Sequence, residues 1–303
     1  MSQGAAQHLS QMQAIENRTL DNAVRLSKRL PQLVIRARQL ATSFSQGWHG
    51  RRQTGIGTEF WQYRPYSFGE SRRRIDWRRT ARDDVAIVRE REWAASHTIW
   101  LWCDLGPSMY YGSSLADESK AERALLLLLA LAELLSASGE TIGLVGHKTF
   151  GFKNRGAERL AGVLNARALS PLPLMLPSNA RRHSDLILIS DFLEPADRLS
   201  QTLSPFISKG MHISALQVLD PSEESFPFSG RVHFLDPGGA NPHEVQRAEL
   251  IKATYQARLV AHRQSVDQIL RKSGRRLQCH HTDRSASTPI QAILNQIEAG
   301  RSA

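Results

Sequence analysis

The stretch His97–Met109, HTIWLWCDLGPSM, decides the fold. Thr98 to Cys103 are almost all apolar. Asp104 follows at once, and a turn with Gly106, Pro107 and Ser108 comes next. A short, continuous apolar run reads as a strand buried on both faces, as in a parallel sheet covered by helices. Its end, an acidic residue opening into a small-residue turn, is where α/β sheets keep their ligand sites.

Downstream, the same pattern recurs. Ser119–Ser138, SKAERALLLLLALAELLSAS, is a strong helix former stopped by Gly139. It is apolar nearly all round, so it should be covered on its outer side as well as on the sheet side. Thr141–Gly146, Asp185–Ser190 and Met211–Leu219 read as further buried strands, and Asp191 ends the second of them. Between them lie helical segments at Gly156–Ala168 and Pro195–Ser208. Asp220–Phe228 reads as a loop and Arg231–Leu235 as a short strand. Glu244–Ser273 is a long amphipathic helix, followed by a strand at Arg275–His281 and a helix at Thr288–Glu298. Strands alternating with helices predict an α/β fold, a mainly parallel sheet with helices on both faces.

Upstream the chain changes character. Residues 1–17 are polar and expected to fray. Residues 18–45 have helical apolar spacing, with Pro31 expected to end one helix or start the next. Gly47–Gly57 is a glycine-rich loop, Glu59–Tyr66 is aromatic and extended, and Val85–Trp93 reads as a strand. The expected organisation is a helical, partly disordered segment at 1–46, a basic segment at 47–93 packed on the core, and the α/β domain at 94–303.

The formal net charge of +10 lies wholly in the first part. Residues 1–82 hold 15 Lys and Arg against 5 Asp and Glu, while residues 83–303 hold 24 of each sign. Such asymmetry points to an acidic partner, nucleic acid or a membrane face. The mean hydropathy is −0.36. The longest apolar run, Ala124–Leu135, falls well short of the roughly 20 residues needed to cross a bilayer. No signal-peptide core opens the chain, so a cytoplasmic location is expected. Cys103 and Cys279 have no CxxC partner and no zinc-type His spacing. Cys103, inside the apolar strand, is expected in the core. P-loop, nucleophile-elbow, zincin and dinucleotide-binding motifs are absent, so neither a nucleotide nor an organic cofactor is expected.

Asp104, Ser108 and Asp191 carry the candidate chemistry. If their strands are parallel neighbours, both carboxylates emerge at one sheet edge and the Ser108 loop folds toward them. An oxygen-only site of this kind suits Mg²⁺. The competing reading is that both aspartates satisfy turn amides or cap helices.

The motif DLGPSM resembles the metal-ion-dependent adhesion site of the von Willebrand factor A fold, which begins Asp-x-Ser-x-Ser. Asp104 matches its first position, Ser108 its last Ser, and Asp191 a later Asp. Gly106 stands where a Ser ligand should be, and the Thr ligand has no clear counterpart beyond Thr141 and Thr149. Any Mg²⁺ would therefore be held weakly or not at all. A longer pattern lies upstream in GIGTEFWQYRPYSFGESRRRIDWRRTARDD. Gly55, Gly57, Glu59, Phe60, Arg64, Tyr66, Gly69, Glu70, Arg73, Ile75, Asp76, Trp77, Ala81 and Arg82 resemble the hallmark of the bacterial family called domain of unknown function 58. LILISDF and LDPSEESFPFSGRVHFLDPGG are similar to that family too, which extends the resemblance over about residues 47–299. The resemblance implies a von Willebrand A-like (Rossmann-like) fold and a functional link to MoxR-type AAA+ ATPases. It implies no reaction.

The hallmark also has a direct physical reading. Arg64, Arg72, Arg73, Arg74, Arg78, Arg79 and Arg82 lie within 19 residues, beside Glu59, Glu70 and Asp76. Arginine forks pair with carboxylates, so Arg64 and Arg73 are expected to lock the segment internally. Arg51, Arg52, Arg72, Arg74, Arg78 and Arg79 are the candidates for meeting an acidic partner. The expected function is a non-catalytic binding or adaptor module that works with a MoxR-type ATPase on client proteins. The rival readings are a nucleic-acid-binding protein and a metal-dependent hydrolase.

Overall fold

A computed structural model describes residues 2–48, 61–65, 86–91, 98–147, 150–152, 154–235 and 243–301. The chain divides into two compact units, 47–96 and the remainder. In the smaller unit, β1 (Trp61–Pro65) and β2 (Ile87–Arg91) form an antiparallel pair, with Trp61 opposite Arg91 and Pro65 opposite Ile87. Of the hallmark residues, only the backbone of Arg64 falls inside it. Glu59, Phe60, Tyr66, Gly69, Glu70, Arg73, Asp76, Trp77 and Arg82 lie outside the described residues. So do the partner-facing candidates Arg51, Arg52, Arg72, Arg74, Arg78 and Arg79.

The larger unit holds a six-stranded sheet. Its elements are β3 (Thr98–Cys103), a 3-10 turn (Pro107–Tyr110), α2 (Lys120–Ala137), β4 (Thr141–Leu144), β5 (Phe150–Phe152), α3 (Gly156–Ala166), β6 (Asp185–Ser190), α4 (Ala196–Ser208) and β7 (His212–Leu219). Then come α5 (Pro221–Ser225), β8 (Val232–Phe234), β9 (His243–Val245), α6 (Ala248–Arg271), β10 (Leu277–His281) and α7 (Ser287–Arg301). The strand order is β10-β7-β6-β3-β4-β5. All neighbours are parallel except β5, which runs antiparallel at one edge. The mainly parallel α/β sheet expected from the sequence is thus present.

Alternation along β3 splits the core into two layers. Ile99, Leu101 and Cys103 face α2, α3 and α7, while Trp100 faces the α4 and α6 side. Register puts Trp100 beside Gly143, where a Cβ would come within 2.6 Å of the indole ring. A glycine is required there by the close approach of the buried ring. Cys103 is fully buried, as a thiol inside such a strand should be.

A long helix, α1 (Ser2–Trp48), precedes the hallmark segment. It starts at Ser2, where fraying was expected, and Pro31 lies inside it instead of breaking it. Proline only removes one donor, and the stripe Ala23, Leu26, Leu30, Leu33, Ala37 and Ala41 recurs at helical spacing on both sides of it. That stripe joins the same apolar cluster as the α2 leucines, which explains how α2 is buried all round. Arg29 pairs with Glu122, Arg36 with Glu118 at 2.5 Å and Arg38 with Glu158 at 2.9 Å. No described helix is long and apolar enough to cross a membrane.

Two segments differ from the sequence expectation. The supposed loop after Asp220 opens with the short helix α5, because Asp220 and Glu223 form a capping box. The long helix expected from Glu244 starts at Ala248, since His243–Val245 pair with Val232–Phe234 as a small hairpin.

Candidate functional site at the carboxyl edge of the sheet

The parallel pairing of β3 with β6 sets Cys103 beside Ile189, and Asp104 N donates to Ile189 O at 2.8 Å. Asp104 and Asp191 therefore leave neighbouring strands at the same, carboxyl edge. Asp104 Oδ1 accepts from Gly106 N and Oδ2 from Ser190 Oγ, both at 2.8 Å. Asp191 is 4% exposed. Its Oδ1 accepts from Leu193 N at 3.2 Å, and its carbonyl accepts from Gln217 Nε2 at 2.8 Å. Each aspartate thus does bind a turn amide. Ser108 lies in the 3-10 turn, and its hydroxyl has no hydrogen-bond partner among the described residues. Thr141 pairs with Thr98 at the opposite, amino end of the sheet, and Thr149 lies outside the described residues.

The residue that organises this edge is Lys120. It is the first residue of α2, whose N-terminus is fixed by the Ser119–Glu122 capping box. Its side chain is only 1% exposed, and Nζ donates to Asp191 Oδ2 at 2.9 Å and to Glu223 Oε1 at 2.6 Å. Nζ also lies 5.8 Å from the centre of the Tyr111 ring. One ammonium therefore ties together the loop after β3, the loop after β6 and α5 after β7. Glu223 Oε2 accepts from Asp220 N at 2.8 Å, so α5 is held from both ends of that carboxylate. Asp220, fully buried, accepts from Ser113 N at 2.8 Å, Ser113 Oγ at 2.6 Å and Ser222 N at 2.8 Å.

The electrostatics follow from crowding. Burial pushes the Lys120 ammonium toward losing its proton, but Asp191 and Glu223 outweigh it and raise its pKa. Burial raises the Glu223 carboxyl, with Lys120 and the Asp220 amide opposing the shift and Asp191 adding to it. It also raises Asp104, with Asp191 adding to the shift and the Gly106 and Ser190 donors opposing it. Glu194 is raised by burial as well, with Arg198 opposing and Asp104 and Asp191 adding. Burial would raise Asp220 too, but the Ser113 and Ser222 bonds bring it below the ordinary range.

The network continues across the edge. Gln217 accepts from Arg263 Nε at 3.0 Å, Arg263 Nη1 donates to Glu224 Oε1 at 2.5 Å, and Glu224 also meets His281.

Lys120 Nζ stands between Asp191 Oδ2 and Glu223 Oε1. Each oxygen of Asp104 and of Asp191 accepts one hydrogen bond, and the cation between Asp191 and Glu223 is Lys120 itself. Among the described residues, no group of three His, Cys, Asp or Glu side chains is placed to hold a metal. Lys120 and Glu223 were missed in the sequence. The available signal was a lysine in the first turn of a helix, where the macrodipole favours acids, facing the D-P-S-E capping pattern at Asp220–Glu223.

Comparisons with known proteins give the following similarities. The chain is 25% identical over 278 residues to an uncharacterized protein of Mycobacterium tuberculosis strain H37Rv, covering 86% of each chain. An uncharacterized protein of Mycobacterium bovis gives the same values. Among solved structures, an aerotolerance-related membrane protein from Bacteroides fragilis has a TM-score of 0.40 and 13% identity, over 67% of this chain and 99% of that one. The conserved hypothetical protein BatB from Bacteroides thetaiotaomicron has a TM-score of 0.40 and 15% identity, over 68% and 100%. The family described as protein of unknown function DUF58 matches residues 62–265, well over half of the sequence, and the chain belongs to that family.

Proposed function

We propose that this chain is a non-catalytic protein-binding module, an adaptor that works with a MoxR-type AAA+ ATPase on client proteins. Family membership supports the ATPase partner. One structural observation carries the binding role: the loops cross-linked by Lys120 display apolar side chains to solvent. Tyr111 is 37% exposed, Leu115 49% and Leu193 40%. Exposed apolar patches mark interaction sites, and tyrosine is among the residues enriched at interface hot spots.

The test is direct binding of the purified chain to the MoxR-type ATPase of the same genome, by interferometry with ADP and with a slowly hydrolysed ATP analogue. A nucleotide-sensitive complex is expected. Leu115→Asp and Leu193→Asp should weaken it at least tenfold without moving the melting curve. A folded chain that binds the ATPase in neither nucleotide state would refute the proposal.

The charge excess of residues 1–82 favours a second reading, nucleic-acid binding. Arg29, Arg36 and Arg38 already serve internal carboxylates, which removes three arginines from any such surface. Strong, salt-dependent affinity for RNA or DNA would favour it.

A further inference from the structure

We infer that the Lys120 ammonium is the resident cation of the carboxyl edge, standing where an α/β site of this kind would hold a divalent metal, so that the edge is assembled and works without one. The inference goes beyond the adaptor reading and does not depend on the ATPase partnership.

The geometry carries it. Nζ sits between carboxylates from two different loops, at 2.9 Å from Asp191 Oδ2 and 2.6 Å from Glu223 Oε1. The side chain is 1% exposed, so the charge is an internal part of the fold. A divalent ion on Asp191 and Glu223 would have to share this space with the ammonium at short range. The two cations would repel each other at that range. The remaining oxygens already accept hydrogen bonds. Asp104 gives its oxygens to Gly106 and Ser190, and Asp191 Oδ1 goes to Leu193 N. An ammonium also has a property that a metal lacks: it is covalently fixed to α2, so the three loops are cross-linked whatever the ion concentration.

Removing the ammonium should therefore open a latent metal site. In Lys120→Ala, Asp191 and Glu223 retain the hydrogen bonds from Leu193 N and Asp220 N and lose the ammonium between them. Divalent ions prefer oxygen sites with several carboxylate and water ligands.

The experiment compares melting temperatures of the full chain with and without millimolar MgCl₂ or MnCl₂, and Mn²⁺ binding by electron paramagnetic resonance. The wild type should show no metal-dependent shift. Lys120→Ala should melt lower and recover part of the loss with Mn²⁺, with at least tenfold tighter Mn²⁺ binding than the wild type. Asp191→Asn in the Lys120→Ala background should abolish that gain. Wild-type binding of Mg²⁺ or Mn²⁺ that is lost in Asp104→Asn or Asp191→Asn would overturn the inference. So would a folded Lys120→Ala chain that takes up no Mn²⁺. If Lys120→Ala does not fold, the wild-type titration decides: no Mn²⁺ uptake supports the inference, and uptake that is lost in Asp104→Asn or Asp191→Asn overturns it.

Discussion

Replacing Lys120 by methionine removes the charge while keeping most of the side-chain volume. Asp191 and Glu223, whose side chains are 5% and 15% exposed, would each lose one of two charge-assisted contacts. Each keeps its backbone donor, Leu193 N or Asp220 N. Breaking a buried pair on one side costs about 3–5 kcal/mol, because it leaves buried charge uncompensated. For a domain of this size, that is a drop of roughly 6–20 °C in melting temperature. The pH dependence has a definite sign. Burial already raises the Glu223 carboxyl, and loss of Lys120 raises it further. A carboxyl with a raised folded pKa binds its proton more tightly in the folded state, so the variant's deficit is largest near neutral pH. It should shrink as pH falls toward and below that raised pKa. The assay is thermal and urea unfolding of wild type and Lys120→Met at pH 7 and pH 5. Adding Asp191→Asn and Glu223→Gln to Lys120→Met should restore most of the loss, since no charge then remains unpaired. A Lys120→Met chain within 1 kcal/mol of wild type at pH 7 would refute the reasoning.

Leu33→Ala removes a side chain that is 3% exposed in the layer between α1 and α2, and should cost about 2–4 kcal/mol in urea unfolding. A negligible cost would show that α1 does not contribute to the core. The His280 imidazole is held down to about 3, chiefly by burial and next by the Arg123 guanidinium. Its folded pKa lies below the unfolded value of 6.5, so stability is complete above pH 6.5 and falls as pH drops toward 3. The loss is a few kcal/mol at most. His280→Leu should flatten that acid limb in urea midpoints measured between pH 7 and pH 4, and parallel limbs would contradict this. Burial pushes the Cys103 thiol well above its usual range, while Cys279 is exposed. A thiol reagent at pH 8 should therefore label Cys279 in the native chain and reach Cys103 only on unfolding.

The sheet was legible because its strands are short apolar runs and its main helices carry clear stops, as at Gly139. The shared edge of Asp104 and Asp191 was legible too, since both end apolar strands. Lys120 was not, because a single lysine after a helix cap looks like any solvated charge. Only the tertiary fold brings Glu223 to it, across 103 residues of sequence. Pro31 misled because proline is a local signal, whereas α1 is held by a stripe of leucines and alanines that spans it. The small hairpin of β8 and β9 was half visible, as Val232–Phe234 reads as a strand but His243–Val245 carries little apolar pattern.

The most direct test of the edge is a crystal structure grown with MnCl₂, with data collected at the manganese absorption edge. The account predicts no anomalous peak among Asp104, Asp191 and Glu223, and Lys120 Nζ within hydrogen-bond distance of both Asp191 and Glu223. An anomalous peak on Asp191 with the Lys120 side chain turned away would contradict it.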